Sequence, residues 1–216
     1  MGDSHTAVFE YINGHVWFPG FFFQSLIIHG ATASGLDNPN SKTQTRKKLD
    51  NFISANNFRN QALLIQLGEV DCGFVIWYRA EKYNIPVEDS LNTTLFKYQQ
   101  FLMGLKNKAK RLIVMSAVLP TIQDGRYFGE IANLRREVKA NLKERTALTI
   151  QFNVSMEQFC LLNNINFLNL DHLLLDNETG TVKKVFLNED PLDHHLSNKK
   201  IYPILLSSIK SLVKQF

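Results

Sequence analysis

The feature that most constrains the fold is a set of four short, continuously apolar runs, separated by segments with helical periodicity. The runs lie at 25–30, 62–68, 111–118 and 165–170, and each is rich in Leu, Ile and Val. Strands covered on both faces read as continuous apolar runs, because neither face meets water. Strand and helix alternate along the chain, and the crossovers of parallel strands are right-handed. The pattern therefore predicts an α/β fold, with a parallel sheet between helices.

The segments between and around these runs carry apolar residues at spacings of three and four. In the segment 41–55, for example, a Ser/Thr-rich start precedes Leu49, Phe52 and Ile53 on one helical face. A length of 216 residues with 44% hydrophobic residues suits one core, and no stretch reads as a linker. We therefore expect a single domain over 1–216, with helices at 6–13, 41–55, 91–105, 128–162 and 198–216.

Composition excludes several classes of function. The net charge of +4 is mild and spread along the chain, and neither a Gly-x-Gly-x-x-Gly nor a Walker pattern follows a strand. Two cysteines, Cys72 and Cys160, favour a reducing compartment. The most apolar run, 16–28, contains Pro19 and Gly20 and is too short to span a bilayer. We therefore expect a cytoplasmic protein with no membrane span, no nucleic-acid partner and no cofactor; the sequence leaves the oligomeric state open.

Polar or small residues follow each predicted strand. The corresponding loops lie at 30–41 and 68–72, after the first two runs, and at 116–121, while a further polar segment at 189–197 precedes the last helix. In open parallel sheets, the active crevice lies beyond the carboxyl ends of the strands. We therefore expect these four loops to meet at one site.

The late segment has the composition of an acid–base site. Asp193, His194 and His195 are consecutive, and Asp190 lies slightly earlier. A carboxylate close to an imidazole can orient the ring and stabilise its protonated form, as a general base requires. Adjacent histidines are expected to point apart and to chelate poorly, so we predict no metal site.

Near the amino end, Ser4 immediately precedes the predicted helix 6–13. A hydroxyl at a helix N-terminus lies where backbone amides favour developing negative charge. The same position suits a plain N-cap, which is the commoner role of a serine there. From the residues alone, both roles for Ser4 stay open.

Taken together, the loops resemble the conserved blocks of the SGNH, or GDSL-like, hydrolase superfamily. The segments "GDSH" (2–5), "GATASGL" (30–36), "GEVD" (68–71) and "DHHLS" (193–197) occur in that family's order over nearly the whole chain. The resemblance implies a three-layer α/β/α sandwich with about five parallel strands in flavodoxin-like order. It also implies a Ser-His-Asp ester hydrolase or O-acyltransferase, often acting on O-acetyl groups of sugars. The second and third blocks are similar to SGNH-like proteins of bacterial surface-polysaccharide biosynthesis.

The resemblance also assigns roles to residues. It implies that Ser4 is the nucleophile and His195 the base, with His194 as the alternative. Asp193 would be the orienting carboxylate, with Asp190 as its alternative. The backbone amides of Ser4 and Gly35 would form the oxyanion hole.

Two departures from the family's pattern affect the functional expectation. The oxyanion asparagine of the third block falls at Val70, which has no side-chain donor, and the spacing of the last block is altered. The neighbouring Glu69 and Asp71 would bind substrate hydroxyls. Alternatively, Glu69 stays in solvent and Asp71 caps a helix. Asp3 belongs to the same predicted set of binding residues. The rival to an enzyme is a catalytically degenerate domain that binds a glycan or a polysaccharide-synthesis partner.

A third departure concerns the sheet. The family has an apolar strand directly before its serine, whereas this sequence has Met1 there. We therefore expect the first strand to be missing or truncated before Met1, with its remainder upstream. Alternatively, the segment 16–23 takes that place.

Overall fold

The centre of the molecule is a parallel sheet of three strands. The computed structural model describes residues 1–16, 21–58, 61–109, 111–125 and 138–213. Strand β1 (Ala62–Ile65) pairs with β2 (Arg111–Met115), and β2 pairs with β3 (Asn166–Leu168). The register places Leu64 opposite Ile113 and Val114 opposite Phe167. The predicted runs 62–68, 111–118 and 165–170 thus contain the three strands.

Beyond β1, the ladder continues only as isolated bridges at Gly2. This residue forms parallel bridges with both Ile27 and Gln66. Its amide donates to Leu26 O at 3.0 Å, and its carbonyl accepts from the amide of Ile28 at 2.9 Å. The predicted strand at 25–30 is therefore reduced to a bridge, because within the described residues the segment around Ile27 pairs with Gly2 alone. The parallel sheet has three strands in the described chain, and five strands in flavodoxin-like order stay a prediction.

Gly2 is packed too closely for any side chain. A Cβ atom at this position would overlap the carbonyl oxygen of Gln66 and lie 2.7 Å from Cγ2 of Thr6. Glycine permits this close backbone approach. The bridge residue leads directly into Asp3 and Ser4, and so places them at the end of the sheet.

The helices cover most of the remaining described chain. A 3₁₀ turn (Ser4–Ala7) leads into α1, and a π-helical turn (Asp71–Val75) leads into α3. The helices are α1 (Val8–His15), α2 (Thr45–Ala55), α3 (Ile76–Tyr83), α4 (Val87–Lys106), α5 (Leu142–Leu162), α6 (Asp171–Leu174) and α7 (Asn198–Val213).

The predicted long helix at 128–162 is shorter than expected. Helix α5 begins at Leu142, because Asn141 and Glu144 form a capping box that ends the helix on its amino side. Residues 126–137 lie outside the described residues. A small antiparallel pair, β4 (Leu175–Asp176) with β5 (Thr181–Val182), and a 3₁₀ turn (Lys184–Phe186) follow α6.

Alternate residues of β2 contribute to two separate cores. Leu112 and Val114 belong to a cluster with residues of α2, α4 and α5, whereas Ile113 and Met115 belong to a cluster with residues of α1, α6 and α7. Successive side chains of a strand point to opposite faces. The sheet is therefore covered by helices on both faces. Within the described chain, no helix combines the length and the apolar character that a bilayer crossing requires.

Candidate active site

Ser4 opens the 3₁₀ turn that follows the bridge residue. Asp3 takes the cap position, where its Oδ1 accepts a hydrogen bond from the amide of His5 at 3.0 Å. Ser4 is therefore not the cap of this turn. Asp3 is completely buried, and it is not among the described residues that line the cavity at the site. We therefore correct the expectation that Asp3 contacts substrate: its carboxylate holds the turn that carries Ser4.

The carboxylate of Asp193 orients the ring of His195. Nδ1 of His195 lies 2.6 Å from Oδ1 of Asp193, and the His195 amide donates to the same oxygen at 2.9 Å. On the other side, Nδ2 of Asn188 donates to Oδ2 of Asp193 at 2.8 Å. The second ring nitrogen, Nε2 of His195, is buried and has no hydrogen-bond partner within the described residues. The ring is thus held by one nitrogen, with the other available to exchange a proton.

The pKa of Asp193 reflects this environment. Burial raises the pKa of its carboxyl, but hydrogen bonds from His195 and the nearby imidazoles more than offset that effect. The net result is a pKa below the usual value of an aspartate. Asp193 is therefore ionised at neutral pH, as an orienting carboxylate must be.

The two alternative residues of this segment take other positions. Oδ1 of the exposed Asp190 accepts from the amide of Leu192 at 2.8 Å and so stabilises the local turn. The backbone carbonyl of His194 accepts from the hydroxyl of Thr121. Of the two candidate carboxylates in this segment, Asp193 contacts the ring of His195, whereas Asp190 is used within its own turn.

Ser4 and His195 line one cavity, although they come from opposite ends of the chain. The cavity has a volume of about 200 Å³, and Asp193 and Asn188 line it as well. Helix α1 positions Ser4 from one side, and the segment before α7 positions His195 from the other. A hydroxyl, an imidazole and a carboxylate in one cavity are the groups required for nucleophilic acyl transfer.

Two further residues of the site, His5 and Asn188, belong to no motif that would predict a role for them. The ring of His5 lies 4.8 Å from the ring of His195 and 6.2 Å from that of His194, between centroids. Asn188 contacts Asp193 through a turn that the fold determines. Only the adjacency of His5 to Ser4 could have singled it out beforehand.

The adjacent histidines do not point apart as the sequence suggested. Their ring centroids are 4.2 Å apart with an angle of 33° between the planes. Asp193, His194 and His195 each offer a ligand atom, and these atoms lie within 4.8 Å of one another. The three residues could therefore hold a metal ion, which would compete with the hydrogen bond between Asp193 and His195.

The predicted second arm of the oxyanion hole is used within its own loop. The amide of Gly35 donates to Oγ1 of Thr32 at 3.1 Å, and Gly35 is absent from the described lining of the cavity. The contacts of the described residues therefore give no support to Gly35 as an oxyanion donor, and that role stays a prediction from the sequence.

Asp71 also serves the loop at 30–36. Its carboxylate accepts hydrogen bonds from the amides of Ala33 at 2.6 Å and Ser34 at 3.0 Å. Burial raises the pKa of Asp71 to about 6, although these hydrogen bonds act in the opposite direction. Glu69 is 2% exposed, so it is not a solvated side chain. Neither acidic residue is among the described residues that line the cavity. The prediction that Glu69 and Asp71 bind sugar hydroxyls therefore has no support from the cavity.

The architecture of this chain is similar to that of several solved structures. A GDSL-like lipase from Bacteroides thetaiotaomicron matches with a TM-score of 0.65 and 17% identity, over 100% of this chain and 86% of that one. An acylhydrolase from Bacteroides fragilis matches with a TM-score of 0.64 and 12% identity, over 100% and 85% of the two chains. The chain shares its fold with these two proteins.

A third similar structure is that of an acetyl xylan esterase, which matches with a TM-score of 0.57 and 13% identity, over 98% of this chain and 96% of that one. No sequence model of a known family and no curated protein sequence matches the chain. The likeness at these identities concerns the GDSL-like fold, and the chemistry has to be argued from the cavity.

Proposed function

We propose that this protein is a serine ester hydrolase. The observation that carries the proposal is the shared cavity, which Ser4 and the ring of His195 both line, and the carboxylate of Asp193 already orients that ring. Structural neighbours described as a lipase, an acylhydrolase and an acetyl xylan esterase support an ester as the substrate.

The proposed reaction proceeds in two steps. Nε2 of His195 takes the proton of the Ser4 hydroxyl while Oγ attacks the acyl carbonyl, and the protonated ring then donates that proton to the leaving alcohol. Asp193 stabilises the imidazolium between these transfers. The backbone amide of Ser4 donates to the developing oxyanion. Water, activated by His195, then releases the acid from Ser4 and restores the enzyme.

The proposal also concerns the group that accepts the acyl chain and the alcohol part of the ester. An acyl group on Ser4 passes to water in a hydrolase and to another hydroxyl in an O-acyltransferase. The acetyl xylan esterase among the neighbours supports a carbohydrate as the alcohol. A place in bacterial polysaccharide biosynthesis, and the absence of a nucleic-acid partner, stay predictions from the sequence.

A second candidate is a glycan- or partner-binding domain without catalysis. The observation that favours it is the weak oxyanion hole, since Gly35 is paired to Thr32 and Val70 offers no side-chain donor. Removal of one such donor costs about a hundredfold or more in rate. The following experiment distinguishes a slow enzyme from a domain without catalytic activity.

The test compares Ser4→Ala with the unchanged protein on p-nitrophenyl butyrate. We expect Ser4→Ala to lower kcat/KM by about a thousandfold or more, because the nucleophile is lost. Ser211→Ala is the matched control, since Ser211 is exposed on α7 and bonds only the carbonyl of Ser207. A fluorophosphonate should add to the unchanged protein and not to Ser4→Ala. Equal rates for the two proteins would exclude Ser4 as the nucleophile.

A further inference from the structure

The cavity at Ser4 extends into the hydrophobic core on the α1–α7 side of the sheet. Beyond the catalytic groups, its inner wall consists of buried aliphatic side chains from five different segments. They are Val8, Met115, Leu170, Leu174, Ile201 and Leu205. A cavity with one polar end and one aliphatic end suits a ligand that also has a polar part and an aliphatic part.

Two polar side chains that line the aliphatic part of the cavity already have hydrogen-bond partners within the protein. Nε2 of Gln66 donates to the carbonyl of Ser116 at 2.9 Å, and Oγ of Ser116 accepts from the amide of Leu170 at 3.2 Å. A sugar hydroxyl placed among these residues would lose its hydrogen bonds to water without equivalent replacement. The inner part of the cavity is therefore unsuited to the carbohydrate side of an ester.

The volume indicates how long an occupant can be. The cavity measures about 200 Å³, and an apolar cavity of about 150 Å³ is large enough to bind benzene. The space thus holds on the order of six to eight carbon atoms. An acetyl group would leave most of it empty.

We infer that the acyl group of the substrate is a medium-length aliphatic chain of about six to eight carbons, seated between α1 and α7. This inference rests on the proposed function, because it assigns the acyl side of the same ester. It replaces the expected O-acetyl group with a longer, unbranched acyl chain. The alcohol, carbohydrate or not, then lies at the polar mouth beside His195.

The first test is a chain-length series of p-nitrophenyl esters from acetate to dodecanoate. Each added methylene that enters the apolar cavity should raise kcat/KM about fourfold, up to hexanoate or octanoate, after which the value should fall. A series in which acetate is the best substrate of an active enzyme would overturn the inference and leave the proposed function intact.

Variants of the residues that line the cavity test whether the cavity sets the optimal chain length of the substrate. Leu205→Phe fills the inner end, so we expect the optimum to move to shorter chains, whereas Leu205→Ala should move it to longer ones. Leu206→Phe is the matched control, because Leu206 is a buried neighbour on α7 in the same core but outside the described lining. Thermal unfolding shows whether each variant folds. If Leu205→Ala folds and keeps the unchanged profile, the chain does not lie in this cavity.

A binding measurement separates this inference from catalysis. Calorimetric titration of Ser4→Ala with octanoate should show binding that Leu205→Phe in the same background weakens at least tenfold. Binding of octanoate by a protein that hydrolyses no ester would support the cavity assignment while refuting the proposed function. No binding of octanoate to folded Ser4→Ala would refute the cavity assignment.

Discussion

At the scale of single residues, the site depends on a short series of hydrogen bonds. Asn188 holds one oxygen of Asp193, and the other oxygen holds the ring of His195. An orienting carboxylate fixes the tautomer of the base and stabilises its charged form. The geometry therefore favours Asp193 over Asp190, three positions away, as the orienting carboxylate of the proposed reaction.

This difference can be measured with two amide substitutions in the same loop. We expect Asp193→Asn to lower kcat by about a thousandfold or more, because an amide favours the wrong tautomer of His195. Asp190→Asn should stay within a factor of about three, since that side chain is exposed and serves its own turn. Steady-state hydrolysis of the same p-nitrophenyl ester by both variants provides the check. Similar losses for both would show that the loop, and not the carboxylate, matters.

At the scale of elements, one buried carboxylate joins two parts of the fold. Asp71, at the start of the π-helical turn, binds the amides of Ala33 and Ser34 in the loop after the Ile27 bridge. Buried amides need acceptors, and each of these two has its own carboxylate oxygen. Asp71 therefore holds the loop at 30–36 against the segment after β1.

We expect Asp71→Asn to destabilise the protein by about 1–3 kcal/mol, because an asparagine has one acceptor oxygen and leaves the second amide unpaired. Urea unfolding at pH 7 measures this change. Asp50→Asn is the control: Asp50 pairs with Arg46 on the surface of α2, and loss of such a pair costs less than about 1 kcal/mol. Equal stability of Asp71→Asn and the unchanged protein would show that the loop is held by other contacts.

At the scale of the whole molecule, two buried carboxyl groups affect how stability depends on pH. Burial raises the pKa of both Asp71 and Asp171 from 3.8 to about 6. The folded protein therefore binds these protons more tightly than the unfolded chain does. The resulting stabilisation is complete below the unfolded pKa of 3.8 and is lost as the pH rises through about 6.

We therefore expect the double variant, with Asp71→Asn and Asp171→Asn, to gain less unfolding free energy than the unchanged protein when the pH falls. The difference in unfolding free energy between the two proteins should grow, in favour of the unchanged protein, as the pH falls from 7 to 5. Chemical unfolding at both values measures it. Asp193, whose pKa is lowered, contributes with the opposite sign and is present in both proteins. A difference that does not change with pH would contradict the raised pKa values.

The sequence predicted those parts of the fold that depend on local pattern. The apolar runs located β1, β2 and β3, and helical spacing located α2 and α4, because burial and periodicity are properties of short segments. The run at 25–30 failed as a strand because pairing depends on a distant partner, here only Gly2. For the candidate site, residue type and order predicted Ser4, Asp193 and His195, and these three residues line one cavity.

Other features of the site depend on contacts that no local pattern encodes. Asn188 reaches Asp193 through a turn, and the amide of Gly35 is directed inward because Thr32 supplies a nearer acceptor. His5 approaches His195 only after the two ends of the chain meet. Such arrangements follow from the packed molecule, in which each polar group takes the nearest partner with good geometry.

The alternation of side chains along β2 divides the molecule into a layer that faces the cavity and a layer that does not. Among the described residues that line the cavity, none comes from α2, α3, α4 or α5. Changes of selectivity can thus accumulate on one side, at positions such as Met115, while the opposite layer preserves folding.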